Sequence, residues 1–96
     1  MKCWLDDSRD PELLGHIDWV WVKTAQEAIE LLQTGRVEEA SLDYDLGKGM
    51  ATGLDVLAWL EENPEVKPAK CNLHSADGIG RAAMREVLQR IYPSGK

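Results

Sequence analysis

Residues 41–47 read Ser41-Leu42-Asp43-Tyr44-Asp45-Leu46-Gly47, or SLDYDLG. Ala40, Ser41 and Leu42 have the look of a short buried strand. Two carboxylates then arrive two residues apart, followed by a glycine. A strand that leaves its core on an aspartate brings a charge to the edge of an apolar interior. That charge is costly unless a cation, a hydrogen-bond donor or a metal compensates it. The stretch therefore predicts a strand ending at Asp43 and raises the question of what meets the carboxylate there.

Three more strands are predicted by period-two alternation over short runs. They are Met1 to Asp6, Asp18 to Lys23 and Lys70 to His74, with Ala40 to Asp43 as the third in chain order. Three helices follow the last three strands. Thr24 and Glu27 have the spacing of a capping box, opening a helix that buries Ala28, Ile29, Leu31 and Leu32 and stops at Gly35. Thr52 caps a second helix carrying Leu54, Val56, Leu57 and Leu60, and Asn63-Pro64 ends it. A third starts near Gly78, with Ile79, Ala83, Val87, Leu88 and Ile91 on one stripe. Ser8 to Ile17 holds Pro11 and Gly15 and reads as a loop or a single helical turn.

Strands alternating with helices imply a parallel sheet. The expected fold is α/β, a three-layer flavodoxin-like arrangement with a truncated four-stranded parallel sheet in the order 2-1-3-4. A chain of 96 residues suits a single domain, 1–96, around one core. In that order strands 1 and 4 are separated by two strand spacings, roughly 9–10 Å. Cys3 and Cys71 should then be unpaired buried thiols. No apolar run is long enough for a signal peptide or a membrane helix, so a cytoplasmic protein is expected. A formal net charge of −6 argues against a broad nucleic-acid-binding surface.

In a parallel sheet the polar residues that end strands 1, 3 and 4 share one edge: Asp6-Asp7, Asp43 with Asp45, and His74-Ser75. The strand order reverses between strands 1 and 3, where open α/β sheets bind ligands. Carboxylates gathered there repel unless a cation joins them, and Mg²⁺ or another divalent cation fits an all-oxygen site. Asp6, Asp7, Asp43 and Asp45 are the expected metal residues. Ser75, Arg81 and the amides near Gly78 and Gly80 are placed to hold a phosphate. His74 is either a packed, hydrogen-bonded histidine or an acid-base catalyst. Trp19 and Trp21 share one strand face, which a packing helix would explain. On a predicted edge strand they also hint at a homodimer contact.

The stretches WLDD, LDYDLGKGMATGLDVLAWLEE and LHSA resemble the receiver domain of two-component response regulators. That resemblance matches Asp6-Asp7 to the family's acidic pair, Asp43 to its phosphoacceptor, Asp45 to the residue whose carbonyl binds Mg²⁺, and Ser75-Ala76 to its Ser/Thr-Ala. A receiver has a fifth strand ending in a lysine and a final helix. Here 20 residues follow Ala76, and their one lysine is Lys96. Trp4 to Arg9, Ser41 to Gly47, Gly53 to Trp59 and His74 to Met84 are similar to the cyclic-phosphate-processing receiver domains, found as small bacterial proteins. Members of that family often carry His where Tyr44 stands and Asn where Asp77 stands.

The resemblance implies a divalent-metal-dependent domain acting on the cyclic phosphate of a nucleotide or RNA end. Asp43 and His74 would be catalytic, Asp6, Asp7, Asp43 and Asp45 would hold the metal, and Ser75 and Arg81 the phosphate. The alternative is a non-catalytic receiver-like module, a phosphoacceptor or a protein-interaction domain.

Overall fold

The computed structural model describes residues 1–93, so Lys96 lies outside the described residues. Four parallel strands, β1 (Lys2–Leu5), β2 (Trp19–Val22), β3 (Glu39–Leu42) and β4 (Lys70–Leu73), form one sheet in the order β2-β1-β3-β4. The helices are α1 (Ala25–Leu32), α2 (Gly53–Glu62) and α3 (Gly78–Ile91), with short 3-10 turns at Pro11–Leu14 and Pro64–Val66. This is the parallel α/β sheet that the alternation implied, in the receiver-like arrangement that the resemblance implied.

Register and handedness together decide which residues meet the helices. Leu5 lies opposite Val22 and Leu42, and Leu42 opposite Leu73. These side chains share a face with Cys3, Ala40 and Cys71, because successive strand residues point to opposite faces. The steps β2 to β3 and β3 to β4 run the same way across the sheet, so right-handed crossovers put α1 and α2 on that one face. The core forms there, from Cys3, Leu5, Ala40 and Leu42 against Ala28 and Leu32, Val56, Leu57 and Leu60, and Met84, Val87 and Ile91.

The step from β1 to β2 runs the other way, so its crossover covers the opposite face. That crossover is short and holds only the Pro11–Leu14 turn. The layer beyond the sheet is therefore thin. The helix expected over Trp19 and Trp21 is not there, because α1 is on the far side. Instead Trp19 lies edge-on to Trp4 and His16, at 5.9 Å in each case. Trp21 donates its indole N–H to the Asp6 carbonyl at 2.7 Å.

Local signals in the helices are realised with small shifts. Thr24 and Glu27 form the predicted reciprocal cap. On α1, Ala25, Ala28 and Leu32 are fully buried, while Ile29 and Leu31 are half-buried neighbours of the core. On α3 the buried stripe is Gly80, Met84, Val87 and Ile91, and Ile79 is 87% exposed. The stripe begins at Gly80 because the Tyr44 ring lies against that glycine, leaving no room for a Cβ. Gly53 opens α2 against the backbone carbonyl of Asp43 and the Met84 side chain, where a Cβ would also collide. Cys3 and Cys71 are free thiols, and burial pushes both up to about 12. No helix among the described residues is long and apolar enough to cross a membrane.

Gly53 therefore fixes how closely α2 approaches the end of β3. Gly53→Ala should lower the unfolding free energy by about 2–3 kcal/mol in urea denaturation. Gly78→Ala, where an added Cβ meets nothing within 4 Å, should change it by less than about 0.5 kcal/mol.

Candidate functional site

The ladder extends one residue past three strands. Asp6 N–H donates to the Val22 carbonyl, Asp43 N–H to Leu5 and His74 N–H to Leu42, at 3.0–3.1 Å. Asp6, Asp43 and His74 are thus held in one row at the carboxyl edge of the sheet. Alternation points all three side chains to the Trp4 face. One ligand atom from each lies within 4.8 Å of the others.

Asp6 is fully buried and fully bonded. Its Oδ1 accepts from the backbone N–H groups of Ser8 and Arg9, at 3.0 and 2.9 Å. Its Oδ2 accepts from Arg9 Nε at 2.9 Å and meets His74 Nε2 at 3.1 Å. Burial raises the Asp6 pKa, but the two amides and the Arg9 guanidinium outweigh it, and the carboxyl sits below its ordinary value.

His74 is packed from several sides. Its Nδ1 lies 2.7 Å from the Ser41 hydroxyl, and its ring stacks on Trp4 with centroids 4.0 Å apart and planes 5° from parallel. With Asp6 ionised, the network assigns the proton to Nε2, donated to Asp6, while Nδ1 accepts from Ser41. Burial lowers the His74 pKa, and Asp6 and Asp43 only partly offset this. The neutral ring is therefore favoured, with both nitrogens already engaged.

Asp43 is different. Burial and the neighbouring Asp6 raise its pKa, and His74, Arg9 and the Tyr44 amide do not fully compensate. Its nearest charged partner is Arg9 Nη2 at 3.6 Å, beyond hydrogen-bond length. It lies on an open groove of about 400 Å³.

Asp7, Asp45 and Ser75 line the same groove, with Ser8, Arg9, Gly47, Lys48, Ala76 and Asp77. Asp45 also closes its own turn, accepting from Gly47 N–H at 3.0 Å. Ser75 is buried, and its hydroxyl accepts from Asp77 N–H at 3.1 Å. The Gly80 amide expected to hold phosphate is taken instead by its cap, Asp77 Oδ1, at 2.9 Å. Arg81 is exposed on α3 and does not line the groove. Tyr44 does not line it either, because alternation turns its ring away from Asp43 and against Gly80.

Two residues not singled out from the sequence supply the groove's cations. Arg9 ends the Trp4–Arg9 motif, and Asp6, three residues earlier, was the signal that could have drawn it in. Lys48 stands between Gly47 and Gly49, at φ +118° and +78°. These glycines permit the left-handed turn that carries the lysine to the groove.

Carboxylates still outnumber cations on the lining, four (Asp7, Asp43, Asp45, Asp77) to two (Arg9, Lys48). A phosphate would be repelled there unless a further cation entered with it. Of the expected metal residues, ligand atoms of Asp6 and Asp43 come together with His74, while Asp7 and Asp45 line the groove without joining that cluster. Asp6, with both oxygens engaged, is open to a cation only if a present partner withdraws.

A family model described as the cyclic-phosphate processing receiver domain matches residues 1–90. No curated protein and no solved structure matches the chain.

The raised Asp43 pKa means that its charge opposes folding in metal-free solution. Asp43→Asn should raise the urea midpoint at neutral pH in the presence of a chelator. The advantage should shrink as pH falls through the raised Asp43 pKa, because the native carboxyl takes up its proton before the unfolded one does. An equal or lower midpoint at neutral pH would contradict this.

Proposed function

The chain belongs to the cyclic-phosphate processing receiver domain family, and from that premise we propose that its groove binds and hydrolyses the cyclic phosphate of a nucleotide or RNA end with a divalent cation. The observation that carries the reading is the common opening of Asp43, Arg9, Lys48 and Ser75 onto one groove. Asp43, Asp7 and Asp45 would hold Mg²⁺ or a similar ion, which would neutralise the surplus of carboxylates and polarise a phosphoryl oxygen. Arg9 and Lys48 supply charged donors to the remaining oxygens. Ser75 supplies a hydroxyl at the groove wall.

His74 acts from behind in this reading. Both of its ring nitrogens are engaged, so its part is to hold Asp6 in place rather than to face the substrate. Asp43 is the group left to act: its carboxylate takes a proton from the water that attacks phosphorus, the ring P–O bond breaks, and the leaving ribose oxygen takes that proton up. Arg81, exposed on α3, has no part in the chemistry.

One observation favours a second reading, a phosphoacceptor without turnover. His74, the histidine nearest Asp43, has no free ring nitrogen to activate water. A phosphoryl group on Asp43 would then persist.

The two readings separate cleanly. With Mg²⁺ and a 2′,3′-cyclic nucleotide followed by ³¹P NMR, the enzyme reading expects ring opening. Asp43→Asn should cut kcat/KM by about 100–1,000-fold, and Arg81→Ala should leave it within about twofold. No ring opening, together with a stable phosphoryl mass gain from acetyl phosphate that Asp43→Asn abolishes, would overturn hydrolysis in favour of the phosphoacceptor.

A further inference from the structure

The Asp6 carboxylate offers about four acceptor sites, and four short hydrogen bonds fill them, the Ser8 hydroxyl adding only a long contact at 3.5 Å. Three of the donors cannot leave without disturbing the fold. Two are backbone amides of the turn after β1. The third is the His74 ring, clamped between Ser41 and Trp4. The fourth is the Arg9 guanidinium, whose side chain is 43% exposed and faces the groove. Its other contacts are the His74 carbonyl at 3.1 Å and the looser ion pair with Asp43 at 3.6 Å. The Arg9 backbone is fixed independently, since its carbonyl accepts from Trp4 Nε1 at 3.0 Å. The side chain can thus swing from an anchored base.

We infer that Arg9 is a positioning residue that stands in for the cation in the free protein, and that a divalent cation reaches Asp6 and engages Asp43 fully only by displacing its guanidinium into the groove. This rests on the reading that the groove takes a divalent cation. A displaced Arg9 keeps its charge and turns its N–H groups toward Lys48 and Ser75, where a phosphoryl group would lie. Cation and phosphate binding are then linked: each favours the conformation the other needs. Without a cation, Arg9 neutralises the carboxylate row and is withheld from the anion.

The test is Mn²⁺ affinity without substrate, by isothermal titration calorimetry. Arg9→Gln removes the competing charge and should bind Mn²⁺ about tenfold tighter than the wild type, with Arg9→Lys between them. The gain should disappear when Asp43→Asn is added. Equal or weaker binding by Arg9→Gln overturns the inference, and so does an absence of binding by both proteins. If Arg9→Gln fails to fold, the wild type still decides. In ¹⁵N NMR, saturating Mg²⁺ should shift the Arg9 Nε–H signal and speed its exchange with water. An unchanged, protected signal overturns the inference. Tighter Mn²⁺ binding by a protein that opens no cyclic phosphate would leave Arg9 as the cation's stand-in and sink only the hydrolytic reading.

Discussion

The buried Asp6 carboxylate organises this domain. It lies at the end of β1, with no exposed surface, and an ionised group in that position is tolerable only when its acceptor sites are filled. The four donors come from the turn after β1, from the Arg9 side chain and from the end of β4. One side chain therefore ties the first crossover to the sheet edge and locks His74 upright against Trp4. Removing a partner from such a charge typically costs about 3–5 kcal/mol. The carboxylate thus binds the site to the stability of the fold.

From that anchor the groove acquires its asymmetry. Asp6 is compensated from within, whereas Asp43 is not, and burial, with the Asp6 charge beside it, raises the Asp43 pKa. The two aspartates are one residue past neighbouring strands, yet one is a structural acceptor and the other an open group on a groove. Their difference comes from the two turn amides that bond only Asp6, and from the Arg9 side chain, which lies 2.9 Å from Asp6 but 3.6 Å from Asp43. The thin layer on the Trp4 face contributes as well. With only a short turn over that face, aromatic and histidine rings do the covering. The stack of His16, Trp4 and His74 carries the packing up to the site.

Much of the fold was legible because its signals are local. Alternation marked the strands, the Thr24–Glu27 spacing marked a helix start, and alternating element types forced the parallel sheet. The carboxyl-edge row of Asp6, Asp43 and His74 followed from topology alone. What escaped depends on which face a crossover takes and on where a flexible side chain ends. Trp19 and Trp21 share a face as expected, but the direction of each crossover, not the strand pattern, decides what covers them. Ile79 lies outside the buried stripe because the Tyr44 ring makes Gly80 the point of closest approach. The Gly80 amide was counted as free, although Asp77 three residues earlier has the spacing of a cap. Arg9 has a long side chain on a loop, and periodicity does not reveal where such a group points.

On the proposed reading a phosphate-bearing ligand enters the groove over Asp43. Amide chemical-shift mapping during titration of a 2′,3′-cyclic nucleotide with Mg²⁺ tests it most directly. The largest shifts are expected at Arg9, Lys48 and Ser75 to Asp77, with little change on β2. Shifts centred on Trp19 and Trp21, or none at the groove, would contradict it.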